Sequence, residues 1–322
     1  MELDQVEAFV TIVRKGGFTR AAAALHLSQP AVSRRVRLLE HAVGAPLFER
    51  SPSGGVLTDA GRAFLPPAEA LLAAMRDARD AVASLQAADR GAVTLALVGT
   101  LAGSSLTAAL RRFRDAHPGV DLRLRTALSA EVSALVRRGD ATLGLRYGVD
   151  PHPDFLSTTL HDEPLVPVCA PHHRLTRVRR VAPAALAGER WITFPPPAGG
   201  GAEPSAAAVE RSLAASGVPP GERVLIDSLT AQKRMVEAGF GLALLQASSV
   251  DEELRAGTLA VLRVPALRVS VPIVLVQRRR AFLSGAARAV LAVLSAWPAA
   301  RSRGPRAARP DHAGLSRSRP SR

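Results

Sequence analysis

Apolar positions in the first 45 residues recur at helical spacing. Val6, Phe9, Val10 and Val13 share one face, and Gly16-Gly17 closes the run. Thr19 is placed to cap a second short helix over residues 20–26, whose alanines at 21–24 permit close helix packing. Leu27-Ser28 reads as a tight turn. Ser28 suits the N-cap of a third helix, and Pro30 falls in its first turn, where a missing N–H costs nothing. That helix runs to about Val43 and Gly44, with Val32, Val36 and Leu39 as its inner stripe. Ser33, Arg34 and Arg37 lie on the opposite face, which makes the segment a helix-turn-helix. Residues 46–50 and 56–58, around the Pro/Gly turn at 51–55, predict a hairpin, or wing.

Thr58 can cap the next helix, over residues 59–88 and roughly 45 Å long. Gly61, Ala68, Met75 and Val82 repeat every seven residues, and Phe64, Leu71, Ala78 and Leu85 repeat three later. Such an a/d seam either lies on its own domain's core or pairs with a second copy. Its narrowness and charged neighbours favour dimerisation through Phe64, Ala68, Leu71, Met75, Ala78, Val82 and Leu85. Pro66-Pro67 should bend or loosen its first turns.

From Gly91 the period changes. Short strands are predicted at 93–98, 120–124, 142–145, 165–170, 191–194, 224–226, 242–245 and 271–276, most of them separated by helical stretches. This alternation implies an α/β domain with largely parallel sheets, divided into two lobes. The expected division is a winged helix-turn-helix over 1–58, a linker helix over 59–90, a first lobe from 91–161 and 268–298, and a second lobe over 162–267. Residues 299–322 are rich in Arg, Pro and Ser and are expected to be disordered.

Composition adds less. A formal charge of +14 suggests a polyanionic partner, yet residues 1–62 hold eight basic against six acidic side chains. Residues 299–322 hold seven Arg and one Asp, so much of the excess is a tail. No long uncharged apolar run predicts a membrane span. The acidic start, with Glu2, Asp4 and Glu7, is unlike a secretory signal, so a cytoplasmic, nucleoid-associated location is expected. The single cysteine, Cys169, excludes an internal disulfide.

Residues 18–62 resemble the DNA-binding region of the bacterial LysR-type transcriptional regulators. The elements that match are the Ala-rich helix, the string LSQPAVSRRVRLLE, the G-x-PLFER stretch and a wing ending LT-x-AG. The likeness continues more weakly to about residue 298 through GTLAGSSLTAALRRFRDAHPGV and IDSLTAQKRMVEAGFGLALL. It implies a homodimer, often paired into a tetramer, and a two-lobed periplasmic-binding-protein-like effector domain. Departures are Thr142 with Asp140 displaced, Gln246 where the family usually has Pro, and Ser53 where a basic residue is common.

Double-stranded promoter DNA is the expected main partner, and RNA polymerase a further candidate. On the third helix Gln29, Ser33 and Arg34 can reach base edges, with Pro30 shaping the first turn and Arg37 further along the face. Ser28 and Thr19 suit phosphate, and Arg50 in the wing suits phosphate or the minor groove. A ligand pocket is expected between the lobes. By resemblance it is lined by Thr100, Ser129, Phe194, Asp227 and Ser228, although Thr100, Ser129 and Ser228 could equally be ordinary helix caps. Exposed helix N-termini favour a small anionic co-inducer, while Asp227 argues the other way. No cofactor or metal is expected: His152, His161, Cys169, His172 and His173 have no zinc-ligand spacing, and Gly239-Phe240-Gly241 is half a nucleotide fingerprint. No nucleophile elbow or acid–base set points to an enzyme. A solute-binding transport protein would share the lobes but has no use for residues 1–62.

Overall fold

The computed structural model describes residues 1–49, 55–86, 91–195, 203–218 and 221–297. Arg50, the wing tip, the end of the linker and the Arg-rich tail lie outside these residues. The N-terminal domain packs α1 (Leu3–Lys15), α2 (Phe18–Leu25) and α3 (Gln29–Val43) against the start of α4 (Asp59–Gln86). Phe9 sits at the centre of this core, with ring centroids 5.3 Å from Phe48 and 5.4 Å from Phe64. The wing begins as an antiparallel bridge between Phe48 and Leu57. Thr58 caps α4 by accepting the Gly61 N–H at 3.0 Å, and Pro66 and Pro67 lie inside that helix without interrupting it.

The second domain follows as β1 (Gly91–Val98), α5 (Ser104–Ala116), β2 (Val120–Ala127), α6 (Ser129–Arg137), β3 (Leu143–Tyr147) and β4 (Phe155–Cys169). The chain continues through β5 (Trp191–Thr193), α7 (Pro204–Ala215), β6 (Arg223–Leu225), α8 (Leu229–Glu237) and β7 (Leu242–Gln246). It ends with α9 (Asp251–Ala256), β8 (Ala260–Val261), β9 (Val269–Arg278) and α10 (Gly285–Ser295). The strand order is β2-β1-β3-β9-β4-β7-β5-β6, with β8 beside β4.

The expectation of largely parallel sheets needs correction. Within each lobe three strands are parallel, β2-β1-β3 in one and β6-β5-β7 in the other. Between them β4 and β9 run antiparallel to each other and to their outer neighbours, β7 and β3. These two strands carry the chain from lobe to lobe and back, with a register shift between Thr159 and His161. The alternating βα pattern reports the crossovers inside a lobe, not the strands that connect lobes.

No helix among the described residues is long and apolar enough to cross a membrane.

Gly61 takes no part in an exposed seam. A Cβ there would overlap the Leu47 carbonyl oxygen and crowd Leu57. Gly61→Ala is therefore expected to push α4 off the wing and destabilise the N-terminal domain by about 1–3 kcal/mol. Urea unfolding followed by far-ultraviolet circular dichroism checks this, and an unchanged midpoint would refute the packing.

Candidate nucleic-acid interface and ligand cleft

The chain turns tightly between α2 and α3 because His26 adopts a left-handed backbone, φ 55°, and the Leu27 N–H returns to the Ala22 carbonyl at 2.9 Å. Ser28 then caps α3, its Oγ accepting the Ala31 N–H at 3.3 Å, and Gly44 ends it with φ 80°. Val32, Val36 and Leu39 are buried beneath the helix. Gln29, Pro30, Arg34 and Arg37 are exposed and Ser33 is half-buried, so one polar face is presented whole. Arg34 and Arg37 make no ion pair among the described residues, which leaves both guanidinium groups free for an anionic partner. Arg35, between them, is instead turned back to Asp4 on α1 at 3.2 Å.

Two expectations shift here, and a third lies outside the described residues. Thr19 lies inside the first turn of α2, whose N-cap is Gly17; it is exposed but is not the cap. The oxygen of Ser28 is engaged as a cap, so a phosphate would meet the helix end through its remaining N–H groups. Arg50 lies outside the described residues. Glu40 was not singled out in the sequence. Its carboxylate accepts the N–H groups of Leu47 at 2.8 Å and Phe48 at 3.3 Å, tying the base of the wing to α3.

The heptad seam of α4 is divided. Phe64, half-buried, and Ala68, buried, pack into the N-terminal core. The reason is that α4 starts against α1 and the wing, so its first two turns complete their core. Leu71, Met75, Ala78 and Val82 remain exposed in sequence along one stripe. The side chain of Leu85 lies outside the described set.

The opposite flank of α4 meets the first lobe. Asp140, just past α6, pairs with Arg14 of α1 at 3.2 Å and with Arg138 at 3.1 Å. Glu69 of α4, buried to 7% exposure, lies 3.5 Å from Arg14 and 3.9 Å from Arg138. The Arg76 guanidinium donates to the Arg138 carbonyl, and Arg278 of β9 grips Asp77 with two bonds of 2.6 and 2.9 Å. Charges from α1, α4 and the end of α6 so make one cluster, with the Arg278–Asp77 pair beside it.

At the other end of α6 lies a cleft of about 470 Å³ between the lobes. Thr100, Phe194 and Asp227 line it, as do Leu128, Glu203 and Leu229. Thr100 Oγ1 is hydrogen-bonded to the Tyr147 hydroxyl at 2.9 Å. Burial raises the Tyr147 phenol far above its ordinary range, so it stays protonated as a neutral partner. Ser228 does not line the cleft; it caps α8 by accepting the Ala231 N–H at 3.4 Å. Ser129 is fully buried, and the anion position expected there is already filled. Glu203 accepts the Ser129 N–H at 2.9 Å and the Ser129 hydroxyl with its other oxygen. The same hydroxyl oxygen accepts the Tyr147 N–H at 3.2 Å. Glu203 escaped the sequence reading because it sits in a Pro/Gly-rich loop with no periodic pattern. Among the described residues no His/Cys/Asp/Glu group could hold a metal.

Known proteins share both halves of this arrangement. Residues 3–62 match the bacterial regulatory helix-turn-helix of the lysR family, and residues 86–299 match the LysR substrate binding domain. A RuBisCO operon transcriptional regulator of Allochromatium vinosum is 30% identical over 290 residues, which cover 90% of this chain and 94% of that protein. The crystal structure of CbnR, a LysR family transcriptional regulator, superposes with TM-score 0.62 at 26% identity, covering 91% of this chain and 98% of that one. Full-length CbnR complexed with its target DNA gives TM-score 0.62 at 24% identity, covering 92% and 100%. The chain described here belongs to the LysR family of transcriptional regulators.

Proposed function

We propose that this regulator grips promoter DNA as a homodimer, with α3 in the major groove, and that a small metabolite in the lobe cleft alters that grip. The observation that carries the reading is the pair of guanidinium groups of Arg34 and Arg37, without an ion pair among the described residues, on the exposed face of a helix whose other face is fixed in the core. Arg is suited to bidentate contact with guanine, and helix-turn-helix dimers read two half-sites. The similar regulator CbnR has been crystallised with its target DNA. The exposed stripe Leu71, Met75, Ala78 and Val82 supplies an apolar surface for a second copy. A dimer of dimers, contact with RNA polymerase and a cytoplasmic, nucleoid-associated location belong to the same proposal.

Signal transfer runs through α6. Its first residue, Ser129, lies buried behind the cleft wall and is bonded to the lining residue Glu203, and the residues just past its last turn, Arg138 and Asp140, hold α1 and α4. Nine helical residues span about 13 Å and move as a unit. A ligand that shifts the Ser129 end must disturb the ion network at the other.

Arg34→Ala is expected to cost about 1–3 kcal/mol in binding to a DNA fragment flanking the protein's own gene, while leaving random-sequence DNA nearly unaffected. Gel-shift titration on both DNAs reads this; equal discrimination in both proteins would refute the contact.

Met75→Glu places two like charges across the proposed seam and should dissociate the dimer at micromolar concentration. Sedimentation velocity measures it, and an unaltered dimer would remove the seam from the interface.

A further inference from the structure

We propose that Glu203 is the resident anion of the α6 N-terminus, and that the cleft is therefore built for a cationic ligand with an apolar body. The proposal rests on the reading of the cleft as the effector site and names the chemical class that site takes.

The start of α6 offers a buried N–H, a buried hydroxyl and the positive end of the helix dipole. In an empty site those donors would attract a ligand carboxylate. Here the chain supplies its own: both oxygens of Glu203 are engaged by Ser129. The carboxylate crosses from the loop before α7 in the second lobe to α6 in the first. An incoming anion must displace a charge-assisted pair that costs nothing in association entropy, because it is part of the same chain.

What remains is a surplus of acceptors. Glu203 and Asp227 bring two carboxylates to the cleft, and no described lining residue is Arg, Lys or His. A crevice of about 10 Å³, room for a single water, shares Phe194 and Ser205 with the cleft and reaches Gln232 and Gln246. Gln232 is fully buried, and its Nε2 donates to the Ile226 carbonyl at 2.7 Å, which fixes the orientation of its amide. Its Oε1 is buried without a partner among the described residues, and so is the Oε1 of Gln246, itself 3% exposed. Buried acceptors without donors are costly, and a water in that crevice, donating to them and accepting from a ligand N–H in the cleft, removes that cost. Leu128, Leu229 and Phe194 supply apolar walls for its body. The complementary ligand is an amine or guanidinium on a hydrocarbon or aromatic frame.

Benzylamine and benzoate share one apolar body and carry opposite heads. In isothermal calorimetry the full-length protein should bind benzylamine at least about tenfold more tightly than benzoate, a ratio within reach of one charge-assisted contact. Glu203→Ala removes the carboxylate and frees the Ser129 donors, so benzoate should gain about tenfold or more and the preference should reverse. Glu203→Gln keeps the reach of the side chain without its charge, and should lose benzylamine affinity even if the alanine variant fails to fold. A full-length protein that binds benzoate as well as benzylamine, one that binds no benzylamine, or variants with an unchanged ratio would each overturn the proposal. Thr100→Trp fills the cleft and separates the two readings. Persistence of benzylamine binding in that variant would show the cleft reading to be at fault. Its loss, together with an unchanged ratio in the Glu203 variants, would show that the Glu203 assignment alone fails.

Discussion

A helix of nine residues cannot stretch, and that constraint organises this regulator. One end of α6 is fixed to the cleft by Ser129, Tyr147 and Glu203. Just past its other end, Asp140 and Arg138 engage Arg14 of the DNA-binding domain and Glu69 of α4. In the proposed reading a change in one contact set is passed to the other, because the backbone hydrogen bonds between them hold the helix rigid. Allosteric coupling needs two sites and an element that both of them bias, and α6 meets that description. The departure of this chain at residues 140–142 from the usual family pattern gains a physical meaning here. Asp140 is spent on the junction with α1, and Gly139 has its left-handed backbone, φ 70°, pressed against Ala73.

The linker helix α4 works under a matching constraint. Its first turns are core for the helix-turn-helix, its middle flank carries Glu69, Arg76 and Asp77 toward the effector domain, and its exposed stripe is left for a second copy. Each duty uses a different face of one cylinder. In the proposed dimer, a change in how the effector domain grips Asp77 and Glu69 would tilt the helix that sets the spacing of the two recognition helices.

Local signals were legible and distant ones were not. Ser28, Pro30 and Gly44 act within a turn of themselves, so the limits of α3 could be read residue by residue, as could its buried stripe. The strand from 165 was visible because its side chains are buried. The first half of β4 was not, since Leu156, Ser157, Thr158 and Thr159 are exposed and show no apolar alternation. Phe64 and Ala68 fit a heptad and a domain core equally well, because both want apolar residues at the same spacing, and only packing separates the two. Glu203 meets Ser129 across 74 residues of chain. No periodicity announces such a contact, and the sequence alone therefore leaves an anion site at Ser129 that the fold has filled.

Occupancy at Ser129 should be felt at Asp140. Two sites roughly 15 Å apart along a chain at 1.5 Å per residue ordinarily act independently. A double-mutant cycle on promoter-fragment affinity, with Glu203→Ala and Asp140→Ala singly and together, measures whether they do. If α6 couples them, Glu203→Ala changes DNA affinity and most of this change vanishes once Asp140 is gone, an interaction energy above about 0.5 kcal/mol. Free energies that simply add, or a Glu203→Ala protein with unaltered DNA affinity, would contradict it.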